Sequence, residues 1–160
     1  MRAHTRGRGL TLIEVLATLA ITGILAGLAA PSFLSTIART RLEGVVNGLS
    51  IDLQYARSEA IRRRTSATLT VAEGGASYSV SYIVPSTNAV VTLRTVTMPA
   101  DVTLAATAPV VFDALRGIAP SQTLTGSNSK LSAQLQVLTN ANGRVQTCTP
   151  SGEFTGYPAC

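Results

Sequence analysis

Side chains able to do chemistry are scarce in this chain. There is no tryptophan, aromatic residues make up 4%, charged residues make up 13%, and the single histidine is His4. An active site needs titratable groups that converge, and the eight Asp and Glu residues are scattered along the sequence. Serine and threonine are frequent, but no base stands near them to activate a hydroxyl. Gly74-Gly75 lacks the flanking glycine and lysine of a phosphate loop. These shortages argue against an enzyme and against a cofactor.

Cysteine is nearly absent too, with only Cys148 and the terminal Cys160. A disulfide, a C-x₁₁-C metal pair and two free thiols are all open to such a pair. Metal binding lacks further ligands, because the only histidine is at position 4. A disulfide is favoured in an outward-facing domain, where it would close a short loop and contribute on the order of 3 kcal/mol. Formal net charge is +5, yet Arg2, Arg6 and Arg8 supply three of the cations. Without them 10 Lys and Arg face 8 Asp and Glu, or +2. That balance by itself does not point to nucleic acid.

What the chain has in abundance is apolar sequence near its start. From Leu10 to Ala38 the only charged side chain is Glu14. About 20 apolar residues at ~1.5 Å each cross a ~30 Å hydrocarbon layer, so the run is long enough for a membrane anchor. The basic residues before it predict an N-terminus held in the cytoplasm and a remainder facing outward. A carboxylate at membrane depth costs about 2.5–3.5 kcal/mol on insertion scales, so Glu14 calls for a partner. Two plainer readings of the segment exist. One is a secretory signal with Gly27-Leu28-Ala29 before the cut; the other is an uncleaved anchor. Glu14 inside the core and the continuation through Phe33, Leu34 and Ile37 speak against the first.

Past the anchor, Leu42, Val45, Val46, Leu49, Leu53, Ala56 and Ala60 recur at spacings of three and four, which is one face of a helix. Arg62-Arg63-Arg64 ends the pattern, where cations suit a helix C-terminus and Glu59 lies at i−3 and i−4. A helix from Leu10 to Arg64 would be ~80 Å long, with Pro31 expected to bend it. Gly23 and Gly27 would allow close helix approach in a membrane. The period then changes to two. Thr68–Val71 and Tyr78–Ile83 flank Gly74-Gly75 as a hairpin, and Val90–Met98 alternates again. Val102–Leu104 and Val110–Phe112 are short strand candidates. Leu131–Thr139 and Val145–Cys148 form a second hairpin on Asn142-Gly143. Short connections between strands predict an α+β fold with an antiparallel sheet wrapped on the helix.

Arg8-Gly9-Leu10-Thr11-Leu12-Ile13-Glu14-Val15 resembles the class III signal of type IV prepilins and type II secretion pseudopilins, with Leu10 where the family usually has Phe. The resemblance implies that a prepilin peptidase cuts between Gly9 and Leu10 and methylates Leu10. It also implies that Glu14, then the fifth residue, meets the N-terminal amine of a neighbouring filament subunit. Leu53-Gln54-Tyr55-Ala56-Arg57-Ser58-Glu59-Ala60-Ile61-Arg62-Arg63 is similar to the helix signature of GspH/FimT-like minor pilins and pseudopilins. Val111-Phe112-Asp113 with Gly117, and Gly143-Arg144, look like that family as well.

The implied organisation is a leader over 1–9, a transmembrane and assembly segment over 10–38, and a soluble pilin-like domain over 39–160. Implied partners are other pilins or pseudopilins, the prepilin peptidase and the inner membrane, crossed once with the domain in the periplasm. The implied work is priming or capping a type IV pilus or a secretion pseudopilus. The alternative is a DNA receptor for transformation, with Arg144 and Lys130 as contacts. Gln146 stands where a second arginine would strengthen that alternative, and one or two phosphate contacts give weak, salt-sensitive binding.

Overall fold

A computed structural model describes residues 11–160, apart from the side chains of 28–31. The junction Gly9–Leu10 lies outside the described residues, as do the leader arginines and His4, and the side chain of Pro31 is not described. Two compact units divide the chain at Thr36/Ile37.

The first unit contributes the start of helix α1 (Leu12–Arg63). Thr11 caps it: the backbone N–H of Glu14 donates to the Thr11 carbonyl at 3.1 Å and to its Oγ1 at 3.4 Å. Thr-x-x-Glu is the capping-box spacing, and it puts the Glu14 carboxylate in the first turn, where the helix dipole favours a negative charge. Every described side chain from Thr11 to Ile37 is exposed, including Leu12, Ile13, Leu19, Ile24, Leu25 and Phe33. Among the described residues no unbroken helix is long and apolar enough to cross a membrane; Leu12–Gly27 and Ser32–Arg63 meet that requirement only as a pair.

In the second unit burial begins at Ala38 and follows the expected stripe. Leu42, Val46, Leu49, Leu53, Ala56 and Ala60 are fully buried, and Val45 is partly so. The helix stops at Arg63 because Arg64 turns into the left-handed region (φ 53°), which lets the Thr65 N–H reach back to the Ala60 carbonyl at 3.2 Å. As anticipated, Arg62 and Arg63 both pair with Glu59, at 2.7 and 2.6 Å.

The strands are β1 (Ala67–Val71), β2 (Ser77–Ile83), β3 (Val90–Thr97), β4 (Val102–Ala106), β5 (Val110–Phe112), β6 (Gln122–Asn128), β7 (Gln134–Thr139) and β8 (Val145–Cys148). They form two four-stranded antiparallel sheets rather than the one expected, in the orders β3-β2-β1-β5 and β4-β6-β7-β8. Both hairpins, β1–β2 and β7–β8, are where the sequence places them. The core lies between the helix stripe and the inward residues of both sheets, among them Leu69, Val80, Phe112, Leu124, Leu135 and Val137.

Strand β6 is the element that sequence reading omits. Its inward positions are Leu124, Gly126 and Asn128, so no apolar alternation marks it. Gly126 is there for space: a Cβ would lie 2.7 Å from Val46 Cγ2 and 3.2 Å from Leu42 Cδ1. Asn128 is buried because its amide has work to do, donating to the Ala38 carbonyl and to Asp101 Oδ2.

Three carboxyls are held below their ordinary values. Hydrogen bonds from Arg62 and then Arg63 lower Glu59; the Asn128 amide, then Arg41, lowers Asp101; the backbone N–H groups of Arg116 and Leu115 lower Asp113. A group lowered in the folded state binds fewer protons there than in the unfolded chain, so its stabilisation is present above the unfolded value and is lost on acidification. The urea midpoint in detergent should therefore hold steady down to about pH 5 and fall through the carboxylate range below it. Glu59→Gln should lower the neutral-pH midpoint and make the acid fall shallower. A wild-type midpoint unchanged at pH 3 would contradict this.

Candidate functional site

Three stretches far apart in sequence meet at one place on the second unit. Arg57 comes from α1, Gly117 from the turn after β5, and Gly143 from the β7–β8 turn. Both glycines have positive φ, 60° and 71°. A Cβ on Gly143 would stand 2.1 Å from the Gly117 carbonyl oxygen and 3.2 Å from Arg57 Nε; one on Gly117 would stand 2.9 Å from Arg57 Cγ. Only glycine lets the two turns close on each other and on the arginine stem. Asp113 builds the first turn by accepting the N–H groups of Leu115 and Arg116 at 3.0 Å. Asn140 builds the second, its Oδ1 accepting the Arg144 N–H at 2.9 Å. The Asn142-Gly143 signal thus marks a real turn, with Asn140 as its organiser.

Beside this junction lies an open cleft of about 350 Å³, lined by Gln54, Arg57, Ser58, Ile61, Gly143 and Arg144 among others. Arg57 Nε is buried and has no hydrogen-bond partner among the described residues. Leaving a buried donor unsatisfied costs about 1–3 kcal/mol.

Arg144 is exposed at the cleft. Lys130 is exposed elsewhere: its backbone N–H donates to Asn128, whose amide reaches Ala38 at the other end of the buried stripe. From residue 38 to residue 57 the helix rises roughly 28 Å, so Arg144 and Lys130 share no surface.

Two further clusters lie outside this junction; sequence reading missed the first and favoured the disulfide at the centre of the second. Asp52, buried on α1, accepts the Tyr78 hydroxyl at 2.7 Å and Arg94 Nη1 at 2.9 Å, tying the helix to β2 and β3. Burial, and then the Asp52 carboxylate, push the Tyr78 phenol up. The period of the stripe hid Asp52, since a lone acid beside it reads as solvated. The second cluster holds the chain end. Cys148 and Cys160 are joined by a disulfide, which removes the free-thiol and metal-pair alternatives. The closed loop buries Phe154 under the Arg39 guanidinium, 4.5 Å from the ring centroid, and Tyr157 hydroxyl meets Asn47 at 3.1 Å.

Residues 45–143 match the family described as "Type II transport protein GspH", a span of well over half the chain that includes all three stretches at the junction. The chain belongs to the GspH family. Residues 5–30 also match the "Prokaryotic N-terminal methylation motif". The two matches join a type II transport family to an N-terminal methylation motif in one chain. No curated protein sequence matches it. Solved structures that share the fold include two minor subunits. One is the type IV minor pilin FimU of Pseudomonas aeruginosa, at 22% identity and TM-score 0.56, covering 68% of this chain and 88% of that one. The other is the minor pseudopilin EpsH of the Vibrio cholerae type 2 secretion system, at 15% identity and TM-score 0.59, covering 71% of this chain and 99% of that one.

Proposed function

We propose that this chain is a minor filament subunit that primes or caps a type IV pilus or a type II secretion pseudopilus. One observation carries the reading: side chains 11–27 and 32–37 are all exposed, are mostly apolar with only threonines and serines between, and include a single charge, a carboxylate in the first helical turn. Lipid satisfies such a surface before assembly, and the helices of neighbouring subunits satisfy it afterwards. In this reading residues 1–9 are a leader removed between Gly9 and Leu10, and Leu10 is methylated. Residues 10–38 form a single pass through the inner membrane with the N-terminus cytoplasmic, and 39–160 are the periplasmic domain. Partners are the prepilin peptidase and other filament subunits. The DNA-receptor alternative gains no support, because Arg144 and Lys130 lie at opposite ends of the domain's helix.

Mass spectrometry of sheared filaments tests the assignment. The chain should be present at low copy number and should begin at N-methylated Leu10. Its absence from filaments, or a filament-borne form that keeps residues 1–9, would overturn it. Priming further predicts that deleting the chain cuts filament number about tenfold, a loss of roughly 1.4 kcal/mol in initiation.

A further inference from the structure

We propose that the cleft between α1 and the β7–β8 turn is a receptor for a carboxylate carried on a side chain of a neighbouring filament subunit, an inference that rests on the filament reading above. Arg57 lines this cleft from α1, and its Nε, beside Gly143, is buried and unpartnered among the described residues. Arg144 lines it from the β7–β8 turn, and among the described residues neither arginine side chain forms an ion pair. In the second unit the acids of α1 are engaged, Glu43 with Arg39, Asp52 with Arg94 and Glu59 with Arg62 and Arg63, and Asp101 is engaged with Arg41. The glycine junction holds the Arg57 stem in place, so its planar fork is set before any ligand arrives. Gln54 and Ser58 supply neutral polar atoms beside it.

A planar fork with a second cation beside it matches one carboxylate, bound through two parallel N–H···O contacts. Duplex DNA is a poorer match, because its affinity grows with the number of phosphates neutralised and only two cations line this cleft. The occupant that fits is therefore an Asp or Glu of the next subunit.

The test is a titration of the full-length mature protein, ¹⁵N-labelled in detergent micelles, following the Arg57 Nε–Hε resonance. The probe is N-acetyl-glutamic acid N-methylamide, which offers one side-chain carboxylate between neutral amides. A saturable shift is expected in the millimolar range, with none from the glutamine analogue. Arg144→Gln should weaken binding at least fivefold, Ser58→Asp should abolish it by placing an acid in the cleft, and Lys130→Gln should leave it unchanged. Absence of a saturable shift, or an Arg144→Gln variant that binds as well as wild type, would overturn the proposal. So would a 12-base-pair DNA duplex that moves the same resonance at a hundredfold lower concentration, which would assign the cleft to phosphate. The titration needs no filament, so its failure leaves the filament assignment standing, and failure of the mass test leaves the cleft's ligand chemistry measurable.

Discussion

Glu14→Gln is expected to be inserted and processed like wild type but recovered in sheared filaments at a hundredfold lower level or less. The helix start is the reason that this substitution is informative. Thr11 caps the Glu14 N–H, and glutamine at the third helical position preserves the capping-box chemistry. Local helix loss is therefore confined to the dipole contribution, about 0.3–1 kcal/mol. Membrane insertion should improve slightly because a charge is gone. Assembly is another matter. A carboxylate paired with a neighbour's N-terminal amine in a low-dielectric bundle leaves that amine uncompensated when it is removed, at a cost of ~3–5 kcal/mol. At 1.4 kcal/mol per tenfold, that cost exceeds two decades in incorporation. The measurement is the ratio of filament-borne to membrane-borne protein for mutant and wild type. Equal ratios would show that Glu14 serves only the helix start.

Gly143→Ala should cost the second unit about 3 kcal/mol or more, because two penalties fall on one residue. A left-handed backbone costs an L side chain ~1–2 kcal/mol, and the new Cβ would meet the Gly117 carbonyl at 2.1 Å, an overpacking worth a further ~1–3 kcal/mol. Gly152 separates the two terms. Its φ is 69°, yet nothing lies within 4 Å of its Cβ position, so Gly152→Ala carries the backbone term alone. Thermal or urea unfolding in detergent should place Gly143→Ala at least about 1 kcal/mol below Gly152→Ala. Equal losses would mean that the two turns move apart freely and do not clamp Arg57.

The N-terminal half of this protein is legible from its residues because the helical signal there is local. The Leu42-to-Ala60 stripe, the Glu59 pairs with Arg62 and Arg63, and the helix end near Arg64 all depend on contacts a few residues apart. The hairpins β1–β2 and β7–β8 are legible for the same reason, since each joins strands that adjoin in sequence through a turn. The uninterrupted apolar run with one acid likewise carries its message without any folding.

Tertiary structure alone decided the rest, because the remaining information lies in pairings across long separations. Splitting the strands into two sheets depends on β5 pairing with β1 and β6 with β4, which no local pattern encodes. Strand β6 is concealed because its inward residues were chosen for fit against Leu42 and Val46, and for the Asn128 amide bonds, rather than for hydrophobicity. The arginine cleft exists because Gly117 and Gly143, 26 positions apart in the sequence, pack backbone to backbone over a helix residue some 60 positions earlier. A glycine in a sequence reports freedom of the backbone; only the folded chain reports which atoms use the space its missing side chain leaves.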